Sequence, residues 1–360
     1  MKKQDVVQLV LGKQYQKNPV CSFAKSFAPT NIALCKYWGK RNQELNLPIT
    51  SSLSVSLAHK GATTEIKVND KDYDVIYCNF PPLKKGDKRG ILIRHPERSE
   101  GSPAQQEILS ADSPFAKKLI EYLNLFRTKD SHFFDIYLET NIPIAAGLAS
   151  SACGFAAMIQ ALNHLYDWQL SPQALSILAR LGSGSASRSV FSGFVEWHMG
   201  DKIDGMDSYA ELLPDVWPEL CMGLLIVSDQ EKTISSREAM QLTVETSSLY
   251  SVWPKQVKKD LAALKQAISA QDFILLGQTA ETNAMSMHAT MLSACPSITY
   301  YLPETLVLMK KIWQLRKEGL PVYFTQDAGA NLKLLFEEKQ LKIVSELFPK
   351  IEIIKPFSSL

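Results

Sequence analysis

Four short stretches combine small residues with charges that a soluble core does not require. The first, residues 28–41, reads A-P-T-N-I-A-L-C-K-Y-W-G-K-R, with Lys36, Lys40 and Arg41 beside Tyr37 and Trp38. Lysines among aromatics and a glycine can line an anionic pocket, because a buried lysine is costly without an anion to meet it. The second, residues 143–152, reads P-I-A-A-G-L-A-S-S-A. Gly147, Ala149 and the adjacent hydroxyls of Ser150 and Ser151 offer so little bulk that backbone N–H groups can approach an anion such as phosphate. Phe155, Ile159, Leu162 and Tyr166 follow at helical spacing, so this loop would deliver its ligand to a helix N-terminus, where the dipole favours negative charge. The third, residues 182–188, reads G-S-G-S-A-S-R and includes Ser183 and Ser185; Arg188 there can hold a carboxylate bidentately. The fourth is Asp327-Ala-Gly, a carboxylate that in a cationic pocket stays ionised and can accept a hydroxyl proton. Each stretch also has a purely structural reading: a snorkelling surface turn, a small-residue turn under a core helix, a Gly/Ser loop and a turn former, in that order.

The elements that must position these groups are strands and helices mixed along the whole chain. Residues 22–79 read mainly as strands. Residues 52–57 alternate Ser-Leu-Ser-Val-Ser-Leu, which predicts Leu53, Val55 and Leu57 on a buried face and the serines on the other. The polar, glycine-containing segment that begins at Ser26 fits neither a strand nor a long helix. Residues 80–113 are rich in Pro, Gly, Ser and mixed charge and read as a surface insertion. A helix at about 115–126 and a strand at 133–139 lead into the second stretch. Ser171 caps a further helix with Pro172 at its first position. Residues 191–197 read as a strand, and residues 200–218 are the best boundary between two lobes. The second half carries strands at 220–227, 322–325 and 332–336, the last two flanking Asp327. Its helices fall at about 235–242, 253–268, 272–287 and 305–317, before a last helix and a strand at 351–354. The pattern is α+β.

With 360 residues, 46% hydrophobic and 21% charged, the chain has an ordinary globular composition and a length that suggests roughly two units. A formal charge of +2 gives no argument for nucleic acid, and the basic residues of the insertion lack the interleaved aromatics of an RNA surface. No membrane-spanning run of about 18 apolar residues is present. Six cysteines at 21, 35, 78, 153, 221 and 295 include no C-x-x-C pair and fit the reduced thiols of a cytoplasmic protein. Residues 1–20 begin with two lysines and hold only a short apolar run, which reads as a poorly anchored extension and not a signal peptide. Six scattered histidines argue against a metal cluster, and His288 reads as packed or surface-exposed.

Familiar nucleotide motifs are missing. Leu34 stands where a Walker A glycine is needed before Gly39-Lys40, and no third glycine follows Gly182 and Gly184 at position 187. Metalloprotease, EF-hand and nucleophile-elbow patterns are absent too. Taken together and in order, the four stretches resemble the mevalonate diphosphate decarboxylase family, within the wider group of galactokinase, homoserine kinase, mevalonate kinase and phosphomevalonate kinase. N-I-A-L-C-K-Y-W-G-K-R with L-N-L-P-I-T-S-S-L-S-V-S-L is similar to the family's N-terminal block. P-I-A-A-G-L-A-S-S-A resembles the phosphate loop of the whole group, and G-S-G-S-A-S-R, G-F-V-E-W and D-A-G-A-N resemble the decarboxylase blocks. The likeness spans about residues 24–336 outside the insertion. It departs at Ser187, Gln326 and Ala330, where the family commonly has cysteine, an aromatic and proline; these touch substrate selectivity more than chemistry.

The resemblance implies a two-lobed small-molecule-kinase fold with a deep cleft: an extension at 1–20, an ATP-binding lobe at 21–205 and a C-terminal lobe at 206–360 that carries the catalytic aspartate. It implies ATP-dependent decarboxylation of mevalonate 5-diphosphate to isopentenyl diphosphate with ATP and Mg²⁺, in a cytoplasmic homodimer. Asp327, Lys36 and Arg188 match catalytic positions. Tyr37, Lys40 and Ser183 match positions around the diphosphate, and Ser185 and Arg188 those near the substrate carboxylate. Gly147, Ala149, Ser150 and Ser151 match the nucleotide site; no residue is assigned to the metal. A kinase or decarboxylase acting on mevalonate or its monophosphate, and a non-catalytic anion-binding protein on the same scaffold, are the competing readings.

Overall fold

In the computed structural model the described residues are 1–79, 107–109, 113–128, 132–142, 150–230 and 232–357. The second stretch is therefore seen only from Ser150 onward, and most of the expected insertion, like Gly147 and Ala149, lies outside the described residues.

The strand Ser52–Asn69 is the axis of the first half. It pairs antiparallel with Phe23–Cys35, with Phe133–Thr140 and, at its first residues, with Phe194–Trp197. Phe23–Cys35 is thus one continuous strand where the sequence suggested an irregular segment from Ser26 onward; a bulge between Pro29 and Asn31 accommodates the irregularity. Glu107–Ile108 adds a short edge strand to Val75–Asn79, inside the stretch expected to be a plain insertion. The alternation at Ser52 to Leu57 also reads differently in three dimensions. Leu53, Val55 and Leu57 are buried as expected, but Ser52, Ser54 and Ser56 are fully buried as well, because the second face of this strand is covered too. Helix Ser150–Leu165 packs on Phe23–Cys35 and Ser52–Asn69.

The second half builds a four-stranded sheet in the order Tyr323–Gln326, Leu332–Glu337, Leu220–Leu225, Glu352–Ile354. Helices Trp253–Ala270 and Phe273–Leu292 pack on each other and against Phe23–Cys35, and the second of them also lies on Tyr323–Gln326. One apolar cluster consequently joins the halves, with Ile32, Leu34 and Trp38 meeting Trp253, Leu276 and Leu335. Helix caps follow local chemistry: Ser171 accepts from the Ala174 N–H ahead of helix Pro172–Gly182, and Ser235 with Glu238 forms a capping box for Ser236–Thr246.

The expectation of a poorly anchored N-terminus is corrected. Lys3–Leu11 is a helix whose Val6, Val7 and Leu11 are 0%, 0% and 2% exposed, in one cluster with Leu45 and Leu47. Apolar residues at 6, 7 and 11 fall on one helical face, so a short run suffices once a groove exists to receive it. Leu11→Ala should lower unfolding free energy by about 2–5 kcal/mol; an unchanged urea midpoint with unchanged slope would mean that this helix is not docked.

Candidate active site

Lys36 lies one residue past the strand Phe23–Cys35, and Asp327 one residue past Tyr323–Gln326. The helices between the two sheets bring these strand ends together. Lys36 Nζ donates to Asp327 Oδ1 at 2.7 Å and to the Ala33 carbonyl at 2.8 Å. Lys333 Nζ stands 3.1 Å from Asp327 Oδ2. The two lysine side chains are 2% and 1% exposed and that of Asp327 is 30% exposed, so a carboxylate reaches solvent from a floor of two buried ammonium groups. Burial works against ionisation of Asp327, but the charges and hydrogen bonds of Lys333 and Lys36 outweigh it and hold the carboxyl far below the usual carboxylate range. Burial pushes Lys36 down, and Asp327 opposes that shift.

Behind this pair the backbone N–H of Lys36 donates to Asn283 Oδ1 at 2.8 Å, and Asn283 Nδ2 donates to Asp260 Oδ2 at 2.7 Å. His288 Nε2 lies 3.2 Å from the Asp327 carbonyl, which can only accept. Its ring stacks on Tyr301 with centroids 4.9 Å apart, and burial lowers it to about 3, so it is a packed neutral histidine that holds the Asp327 turn.

Arg188 sits in the tight turn Gly184–Val190 and is 3% exposed. It donates to Asn31 Oδ1 at 3.3 Å and to Ser52 Oγ, both neutral oxygens. Asn31 is itself fixed by Ser189 Oγ at 2.7 Å. Burial pushes the guanidinium down to about 10, with Asp327 the largest opposing charge. A buried cation whose direct partners are neutral favours the arrival of an anion.

Tyr37 meets Trp197 edge-on at 4.8 Å, and its buried hydroxyl has no hydrogen-bond partner among the described residues. A Cβ at Gly184 would come within 2.9 Å of that hydroxyl, so only glycine lets the turn approach it. Ser183 and Ser185 flank this glycine with their Oγ atoms 3.4 Å apart. The block around Tyr37 is clamped from the other half of the chain: Tyr250 Oη and Trp253 Nε1 both donate to the Trp38 carbonyl, at 2.8 and 3.0 Å. Gly39 has φ +113°, and a Cβ there would lie 1.7 Å from Tyr250 Oη. Lys40 joins a different set of charges. Its Nζ donates to Asn46 Oδ1 at 2.7 Å, and burial followed by the charges of Arg237, Lys118 and Lys3 lowers it to about 8.

A family model for the diphosphomevalonate decarboxylase-like N-terminal domain matches residues 28–210, and one for the mevalonate 5-diphosphate decarboxylase C-terminal domain matches residues 222–356. The chain belongs to the diphosphomevalonate decarboxylase family. It is 37% identical over 331 residues to the diphosphomevalonate decarboxylase of Gibberella zeae, covering 90% of this chain and 84% of that one. Against the Saccharomyces cerevisiae enzyme of the same name it is 35% identical over 338 residues, covering 90% and 81%. A structure of MDDEF in complex with MVAPP, AMPPCP and magnesium superposes with a TM-score of 0.78 at 39% identity, over 92% of this chain and 96% of that one. Mevalonate diphosphate decarboxylase from Staphylococcus aureus superposes with a TM-score of 0.80 at 35% identity, over 93% and 95%. The fold is thus the α+β small-molecule-kinase fold that the sequence motifs implied.

Within this decarboxylase fold, Asp327, Lys36 and Arg188 converge, and Tyr37, Ser183 and Ser185 border them. Ser150 and Ser151 open the helix Ser150–Leu165. Sequence reasoning missed Lys333, Asn283 and Arg237. Lys333 carried a legible signal, since a lysine interrupts the apolar run L-K-L-L-F six residues after Asp327. Among the described residues no three His, Cys, Asp or Glu side chains are grouped to hold a metal, and no helix is long and apolar enough to cross a membrane.

Proposed function

We propose that Asp327, Lys36 and Arg188 carry out the ATP-dependent decarboxylation of mevalonate 5-diphosphate to isopentenyl diphosphate, ADP, phosphate and CO₂. The observation that carries the reading is the Asp327 carboxylate held between two buried ammonium groups beside the buried Arg188. The substrate offers a carboxylate for Arg188, with Ser185 near it, and a diphosphate for Tyr37, Lys40 and Ser183. Arg237, whose charge reaches both Tyr37 and Lys40, completes that end.

Asp327 accepts a hydrogen bond from the 3-hydroxyl and aims its oxygen at the γ-phosphorus of ATP. The O–P bond forms as ADP leaves. A carboxylate this strongly ionised is a weak base, which suits a loose transition state in which the alcohol proton departs late, passing to an oxygen of the transferred phosphoryl group and leaving with that phosphate. The 3-phosphate then leaves with the C–O electron pair, and positive charge grows at carbon 3. Asp327 stabilises that charge while the carbon–carboxylate bond supplies its electrons to the new double bond and CO₂ departs. Lys36 and Lys333 keep Asp327 anionic through both stages.

Gly147, Ala149, Ser150 and Ser151 are the proposed contacts of the nucleotide phosphates. The donor chemistry fits, because a helix N-terminus at Ser150 supplies unpaired N–H groups. Mg²⁺ bound through phosphates and waters would neutralise charge on the triphosphate and needs few protein ligands. The division into two lobes is our reading, supported by the two sheets and by family models that part between residues 210 and 222. Because Ala210–Leu212 still pairs with Phe194–Trp197 in the first sheet, the boundary expected between residues 205 and 206 is better drawn after residue 212. The family resemblance also supports a cytoplasmic homodimer, which sedimentation velocity would test. Incubation with Mg-ATP and mevalonate 5-diphosphate should yield ADP, phosphate and CO₂ in equal amounts; ADP without CO₂ would make the protein a kinase.

A further inference from the structure

We propose that Lys3, on the N-terminal helix, is a further cation of the site that takes the substrate's diphosphate, and that it favours a diphosphate over a monophosphate. The inference rests on the assignment of Tyr37 and Lys40 to the diphosphate made above. Lys3 itself lies outside the segment matched by the family model, which begins at residue 28.

Placement is fixed by packing. Val6, Val7 and Leu11 anchor the helix beside Leu45 and Leu47, and Gln4 Nε2 donates to the Leu125 carbonyl at 2.8 Å. The Lys3 N–H points at Glu44 Oε1, 3.5 Å away, in the turn between the strands Lys40–Asn42 and Leu47–Pro48. That hairpin carries Lys40, held by Asn46, and Asn46 Nδ2 donates to the carbonyls of Arg180 and Leu181 at 2.8 and 3.3 Å, immediately before the Gly182-Ser183 turn. Lys118 arrives from helix Pro114–Asn124, with its Nζ 5.0 Å from the centroid of Phe155. Phe155 packs on Gly182 so closely that a Cβ there would meet it at 2.4 Å. Arg237 arrives from Ser236–Thr246 in the other half of the chain.

Four separate elements therefore bring Lys3, Lys40, Lys118 and Arg237 within range of one another. Among the described residues, the carboxylates that act on this group are Glu44 and Glu121 on Lys3, and Glu121 on Lys118, while the charges that act on Lys40 are cations. Burial and mutual repulsion lower Lys40 and Lys118 to about 8 each. Lys3 also occupies the first turn of a helix, where the dipole disfavours positive charge. A local rule broken on a rigidly docked element, in a cluster with surplus positive charge, has its compensation in a polyanionic ligand. The second phosphate of the substrate adds negative charge at this end, so the added cation discriminates for it.

The test uses the full chain, with Lys3→Met as the probe, Lys3→Arg as the rescue and exposed Lys13→Met as the control. In Lys3→Met the KM for mevalonate 5-diphosphate should rise about 5- to 20-fold, at the weak end of charge-assisted contacts because Lys3 is only half-buried. Its kcat should hold, the KM for the 5-monophosphate should change less, and the difference should shrink as salt is raised. Lys3→Arg should restore the KM, and Lys13→Met should leave it unchanged. A KM for the diphosphate that does not move, or an effect confined to ATP, overturns the proposal. Calorimetric titration with mevalonate 5-diphosphate separates the two possible failures. Wild type that binds it without releasing CO₂ overturns the reaction and not the role of Lys3; equal Kd values in wild type and Lys3→Met overturn the role of Lys3; absence of binding to wild type overturns both.

Discussion

Asp327→Asn should reduce CO₂ release by roughly 10²- to 10⁴-fold while leaving ATP binding close to that of the wild type. The amide keeps the shape of the carboxylate and can still accept a hydrogen bond from the 3-hydroxyl, so orientation of the alcohol is partly retained. What it loses is the negative charge that faces carbon 3 as the phosphate departs. It also strands Lys36 and Lys333, 2% and 1% exposed, without the anion they share. Two buried cations side by side favour loss of a proton from one of them, and burial already lowers Lys36. The variant should therefore melt lower than the wild type. Single-turnover analysis of ADP and CO₂ checks the mechanism: turnover near the wild-type rate would remove Asp327 from the chemistry.

The parts of this site that were legible in the sequence are those where chemistry demands unusual residue types close together. A lysine-aromatic-glycine-lysine block, a Gly/Ser turn ending in arginine and an aspartate between two strands each stand out locally. Their separation was harder to read, because Lys36 and Lys40 look equivalent in the sequence. In the fold Lys36 is drawn to Asp327 and Lys40 to Asn46, since Trp38 is clamped by Tyr250 and Trp253 between them. Strict alternation put Ser52 and Ser56 on the face opposite Leu53 and Val55 without saying what covers it. In the fold that face is buried too, with Ser52 accepting from Arg188 and Ser56 from the Gly193 N–H. Period-two patterning identifies an apolar face and says nothing of what covers the other one. The N-terminal helix was missed for the same reason: its apolar side needs a groove built by residues more than thirty positions away.

Lys333→Met should move the acid limb of kcat/KM upward and lower activity at neutral pH by about 10- to 100-fold, the value of one charge-assisted hydrogen bond of about 1.5–3 kcal/mol. In the wild type, Asp327 is held far below the unfolded-state value of about 3.9. A depressed carboxyl stabilises the fold at pH above its unfolded value, and that contribution disappears only as pH falls through the much lower folded value. Asp327 should accordingly impose no acid limb on the wild type in the range where the protein is folded. Lys333 is the largest of the charges that depress it. Removing Lys333 leaves burial opposed by Lys36 at hydrogen-bond distance and by the less direct charges of Arg188 and Lys232, so the carboxyl rises toward the ordinary range, and protonation begins to remove the catalytic anion as the medium is acidified. The loss of stability should be smaller than the 3–5 kcal/mol of a fully buried broken pair, because Asp327 keeps Lys36 and remains 30% exposed. Lys333→Arg should return the limb toward its original position if charge is what matters. Superimposable acid limbs for wild type and Lys333→Met would show that the second ammonium does not set the ionisation of Asp327, and that Lys36 with the remaining cations holds it.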